Sequence, residues 1–78
     1  MKIEVLGAGC PKCKKTEANV REAIQRLGIS AEVAHVYDMK EIILRGVSQT
    51  PAVMVDGKLV VAGRVPEVEE LMELLKKK

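Results

Sequence analysis

Apolar residues along this chain fall into runs whose spacing switches between strand-like and helix-like. Residues 2–6 (Lys-Ile-Glu-Val-Leu) are short, apolar-rich and followed by Gly7-Ala8-Gly9, the signature of a buried strand that ends in a permissive loop. Val20, Ala23, Ile24 and Leu27 then recur at i, i+3, i+4 and i+7 before Gly28, which predicts a helix. Pro11 suits its first position, where a missing N–H costs nothing. Extending the stripe back seven residues from Val20 reaches Cys13, so Cys13 is expected to face the core, with Cys10 facing out just before the helix.

Residues 29–37 form a second valine- and alanine-rich run. The helix between makes it a parallel partner of the first strand through a right-handed crossover. Asp38 with Glu41 resembles a capping box, and Met39, Ile42, Ile43 and Gly46 fall on one side of a short helix ending near Gly46. Pro51 opens the run 52–55, and Asp56-Gly57 joins it to the run 58–62, a strong hairpin signal. Gly63 breaks the last strand. Pro66 suits the start of a final helix whose stripe is Val68, Leu71, Met72 and Leu75, with Lys76, Lys77 and Lys78 at the end that favours cations. The expected order is β-α-β-α-β-β-α in one α/β domain over residues 1–78, without internal repeats or linkers.

Composition narrows the function. At 47% hydrophobic and 31% charged residues the chain belongs with folded globular domains, and a monomer is expected. A net charge of +2 and a single aromatic residue, Tyr37, offer neither a polyanion-binding field nor a stacking platform, so no nucleic-acid partner is expected. Met1 runs straight into the first strand with no signal-peptide core or bilayer-length apolar stretch, so the expectation is a cytoplasmic protein with no membrane partner. In such a compartment two cysteines spaced Cys-x-x-Cys are more often catalytic or metal-binding than a structural staple.

Cys10-Pro11-Lys12-Cys13 supports two chemistries. Two thiols this close can pass a disulfide between themselves and a substrate, or their thiolates can clasp a soft metal such as Cu(I) or share Zn. A thiolate at a helix N-terminus is stabilised by the unpaired N–H groups and the positive end of the dipole, which makes Cys10 the more reactive of the pair. Pro11 sets that helix start. Lys12, Lys14 and Lys15 add positive charge, although a solvated helix lysine is an equally good reading of Lys12. His35 lacks ligand spacing to either cysteine and reads as a satisfied strand histidine; Met39, Met54 and Met72 read as core filler.

The element order, with Gly9-Cys10-Pro11-Lys12-Cys13 after the first strand and Thr50-Pro51 before the hairpin, resembles the thioredoxin fold, a four-stranded mixed sheet with helices on both faces. Size and Cys-Pro-x-Cys look like glutaredoxins, and the whole pattern is most similar to the small "redox-active disulfide" proteins of archaea and bacteria. The resemblance implies a thiol–disulfide oxidoreductase with Cys10 as nucleophile and Cys13 as resolving thiol. Pro51 would be a cis-proline beside the disulfide, with Thr50 pairing its backbone to an extended substrate and Gly63 in the turn beside the same groove. It further implies no bound cofactor beyond the Cys10–Cys13 disulfide, a disulfide-containing protein or small-thiol substrate, and a separate reductase.

The chain departs from those families in places. No Trp precedes Cys10, and residues 62–66 lack the Gly-Gly and following Asp with which glutaredoxins hold glutathione. The acid that many thioredoxins bury near the resolving cysteine has no obvious counterpart, Glu32 being a remote candidate. The rival reading, a soft-metal binding module, rests on a resemblance to heavy-metal-associated domains. Those end on a strand and carry Met two residues before the first Cys, where this chain has Ala8 and an expected terminal helix. A third reading is a non-catalytic module that holds an extended peptide in the same groove.

Overall fold

A computed structural model describes residues 1–7 and 11–76 of the chain. Its elements are β1 (Lys2–Leu6), α1 (Pro11–Leu27), β2 (Glu32–Val36), α2 (Met39–Leu44), β3 (Ala52–Val55), β4 (Lys58–Ala62) and α3 (Val68–Lys76), in the expected order and ending on a helix. The sheet runs β2-β1-β3-β4, with β1 parallel to β2 and antiparallel to β3, and β3 antiparallel to β4. The Asp56-Gly57 turn between β3 and β4 has both φ angles positive, 50° and 84°, as a two-residue hairpin turn matched to strand twist demands.

Alternation along the strands divides the core between two faces. Ile3, Val5, Val53, Val55 and Val61 meet Val20 and Ala23 of α1 and Leu71 and Leu75 of α3. Leu6, Ala52 and Met54 on the other face meet Ile42 of α2 and Val47. Burial of these side chains is the main stabilising term, at about 1.5–3 kcal/mol for each large aliphatic removed from water. Asn19 of α1 donates from Nδ2 to the Pro66 carbonyl at 2.8 Å, pinning the loop that leads into α3.

Several expectations about these elements are corrected. The second strand covers 32–36 rather than 29–37, because β2 stands at the edge of the sheet and its pairing with β1 runs from Lys2–Glu32 to Leu6–Val36. Helix α3 starts at Val68, with the Glu67 carbonyl taking its first hydrogen bond from Leu71 N–H, while Pro66 is buried ahead of it. In α2 only Ile42 is buried; Met39 is half exposed and Ile43 is 65% exposed, so Met39 is not core filler.

The reason for the rotated α2 lies 41 residues upstream in Glu4, a buried carboxylate on the same sheet face. Arg45 donates to it through Nη1 at 2.5 Å and reaches Glu41 through Nε at 3.2 Å. At about 100° per residue, Ile42 and Arg45 lie about 60° apart on the helical wheel, so a helix that aims both at the sheet turns Met39 and Ile43 outward. Glu41, engaged with Arg45, does not complete a capping box; Asp38 alone caps α2 by accepting from Lys40 N–H at 2.9 Å. Arg45→Ala leaves the Glu4 carboxylate buried without this partner and is expected to cost about 1–3 kcal/mol, read from urea denaturation, with Glu4→Gln costing less.

Candidate active site

Helix α1 begins at Pro11 and has no acidic residue in its first turn. Its N-terminal N–H groups and dipole are therefore not offset by a carboxylate in that turn. Lys12, Lys14 and Lys15 are exposed, whereas Cys13 is fully buried on the core side, as its stripe position predicted. Thr16, also buried, donates from Oγ1 to the Lys12 carbonyl at 2.8 Å and so satisfies its own hydroxyl inside the first turns. Cys10, the predicted nucleophile, lies outside the described residues together with Ala8 and Gly9.

Gly7, at the end of β1, is where the segments meet. A Cβ placed on it would overlap Cys13 Sγ, lie 3.1 Å from Cys13 Cβ and lie 3.9 Å from Thr50 Cβ. A bare Cα is what lets β1 pass between the cysteine and the Thr50-Pro51 segment. Both backbone groups of Gly7 are tied to β2: its N–H donates to the Val36 carbonyl at 3.0 Å, and its carbonyl lies 3.3 Å from His35 Nε2.

The Thr50-Pro51 peptide is cis, with Pro51 buried and Thr50 exposed. Gly63 donates its N–H to the Pro51 carbonyl at 3.0 Å and has φ of 79°, a region that favours glycine. Contact by contact, Cys13, Gly7, Thr50, Pro51 and Gly63 thus form one continuous neighbourhood at the end of the sheet. Among the described residues, no group of three or more His, Cys, Asp or Glu side chains is arranged to hold a metal ion.

Glu32 does not serve as the buried acid. It is the exposed first residue of β2, paired with Lys2 at the opposite end of the strand from His35 and Val36. The buried Glu4 is no substitute, because it sits across the sheet from α1, bonded to Arg45.

His35 has both ring nitrogens engaged. Nδ1 lies 2.7 Å from Glu17 Oε1, Nε2 meets the Gly7 carbonyl, and the ring stacks on Tyr37 at 4.0 Å and 5°. The hydrogen bond from His35, with Arg21 beside it, holds the Glu17 carboxyl below the usual carboxylate range. A carboxyl depressed in this way contributes stability that is present above its unfolded value and is lost as pH falls through its folded one. Glu17→Gln is therefore expected to flatten the fall in Tm between about pH 5 and pH 3, a difference that thermal melts of the two proteins measure. Sequence reading left both Gly7 and the reach of His35 unassigned. A glycine closing a strand three residues before a cysteine was the available signal for Gly7.

A family model for the thioredoxin domain matches residues 1–76. The chain belongs to the thioredoxin family. It is 46% identical over 74 residues to a thioredoxin of Methanocaldococcus jannaschii, covering 95% of this chain and 85% of that one. With a thioredoxin of Methanothermobacter thermautotrophicus it shares 41% over 75 residues, 96% of this chain and 97% of the relative. The mixed four-stranded sheet flanked by α1 and α3 on one face and α2 on the other is this family's fold, and the chain is a thiol–disulfide oxidoreductase. No helix among the described residues is long and apolar enough to cross a membrane.

Proposed function

We propose that the chain exchanges disulfides through Cys10 and Cys13, with Cys10 as nucleophile and Cys13 as resolving thiol. The observation that carries the reading is the burial of Cys13 in the first turn of α1, against Gly7 and beside the cis Thr50-Pro51 segment. A buried thiol is poorly placed to meet a substrate first and well placed to act within the protein.

In the reducing direction the Cys10 thiolate attacks one sulfur of a substrate disulfide and forms a mixed disulfide, and the other substrate sulfur leaves as a thiolate that takes up a proton. Cys13, deprotonated, then attacks the Cys10 sulfur and releases the second substrate thiolate. Two electrons have passed to the substrate, and the protein holds a Cys10–Cys13 disulfide. A separate reductase or thiol returns the electrons, and no further cofactor enters.

The exposed Thr50 backbone offers pairing to an extended substrate, while Pro51 and Gly63, bonded to each other, form the adjoining wall. Pro11 and the helix start favour the thiolate, with Lys12 adding exposed positive charge. The substrate class is a disulfide-bearing protein or small thiol, the setting a reducing cytoplasm, and the working form a monomer.

Reduction of a model protein disulfide with dithiothreitol as electron donor tests this. Multiple turnovers per protein molecule are expected, whereas tight stoichiometric Cu(I) binding without turnover would favour the metal-module reading.

A further inference from the structure

His35 contacts the dithiol neighbourhood from a side the exchange steps do not use. A carboxylate oxygen of Glu17 and a backbone carbonyl oxygen of Gly7 both accept only, so the ring bonds to both at once only when each nitrogen carries a proton. The form that satisfies both contacts is the imidazolium. Glu17 lies one helical turn beyond Cys13 on α1, and Gly7 is the residue whose Cα faces Cys13 Sγ. One ring thus ties the strand on one side of Cys13 to the helix that carries it.

We propose that His35 is a positioning residue for the dithiol: as the imidazolium it clamps Gly7 to Glu17 and fixes the slot that Cys13 fills, and on losing its proton it releases Gly7. The inference rests on the assignment of Cys10 and Cys13 as the exchanging pair.

The order of release follows from the two bonds. When one proton leaves, the 2.7 Å contact to the carboxylate keeps its N–H, because a charged acceptor holds a donor more strongly than a carbonyl does. Nε2 is then a lone pair facing the Gly7 carbonyl, and that contact is lost. The side chain is only 7% exposed, so few waters can replace the lost donor. Helix α1 presents Glu17 to the ring, with Arg21 paired to that carboxylate and Lys14 lining the same groove, β1 presents Val5 in register, the Gly7 carbonyl follows it, and Tyr37 covers the ring face. Lys14, Glu17, Ala18, Arg21 and Tyr37 line an open groove of about 370 Å³, so the two residues that bond and stack on the ring, Glu17 and Tyr37, also border solvent.

Because the chain has two cysteines, a Cys10→Ser background leaves Cys13 as the sole thiol. Its alkylation by iodoacetamide, divided by the thiolate fraction from ultraviolet absorbance, reports how often the Cys13 slot opens. With His35 intact this opening should rise across the histidine titration by about three- to tenfold, the factor one net hydrogen bond supplies. His35→Gln keeps a donor toward Gly7 at every pH and should hold the opening low and flat. His35→Phe removes the donor and should hold it high and flat.

The His35 and Gly7 NMR signals should follow one titration curve in the unmodified protein, independently of activity. A flat profile with His35 intact, the same rise in His35→Gln, or separate His35 and Gly7 curves would each overturn the inference. Disulfide reductase activity surviving Cys10→Ser would instead overturn the assignment of the exchanging pair.

Discussion

Cys10→Ser should lower turnover of disulfide substrates by on the order of a thousandfold or more, because exchange needs an accessible thiolate and Cys13 does not supply one. Cys13 is the only remaining sulfur nucleophile, and it is fully buried against Gly7. Cys13→Ser should be as damaging to turnover for a different reason. The first attack still occurs, but the mixed disulfide is not resolved, so the two variants fail at successive steps and their effects do not add. Stopped-flow measurement of a single turnover separates them: the Cys13→Ser protein releases one thiol per molecule and halts, and the Cys10→Ser protein releases none. Equal bursts from both variants would mean that the two thiols are interchangeable.

Gly7→Ala should damage the site by adding a single methyl. The new Cβ would overlap Cys13 Sγ, and neither side can yield easily. The Gly7 backbone is held at its N–H by Val36 and at its carbonyl by His35. Cys13 stands in the first turn of α1, where rotamers are restricted by the helix. Overpacking of this kind costs about 1–3 kcal/mol, so the urea midpoint should fall with the slope unchanged. Turnover should fall by about tenfold or more as well, since displacements on the order of 1 Å at reacting groups are felt strongly. A Gly7→Ala protein with unaltered stability and turnover would remove Gly7 from the account.

Much of this was legible in the residues themselves, because the element order rests on local signals. Val20, Ala23, Ile24 and Leu27 mark one helix face, Asp56-Gly57 a two-residue turn, and the stripe carried back to Cys13 placed that thiol inward. What escaped depends on contacts between distant segments. The outward face of α2 follows from Glu4 meeting Arg45, and no window over residues 39–46 contains Glu4. The bonds of His35 to Glu17 and Gly7 span 18 and 28 residues. Gly7 read as loop flexibility, when its part is the absence of a side chain at a crossing with Cys13.

The ion pairs differ in what they contribute. Arg64 donates to both oxygens of Glu70, and Arg26 pairs with Glu22 on α1, but these are exposed, solvent-screened contacts that add little to stability. Glu4–Arg45 and Glu17–His35 are more enclosed, and each orients an element: the first sets the rotation of α2, the second ties α1 to β2.

The asymmetry of the two thiols is the central claim, and the intact mass of Cys13→Ser after brief reaction with a disulfide substrate tests it most directly. The predicted result is one substrate adduct per molecule, mapped by peptide analysis to Cys10, while Cys10→Ser treated in the same way stays unmodified. An unmodified Cys13→Ser protein, or a Cys10→Ser protein carrying the adduct on Cys13, would contradict it.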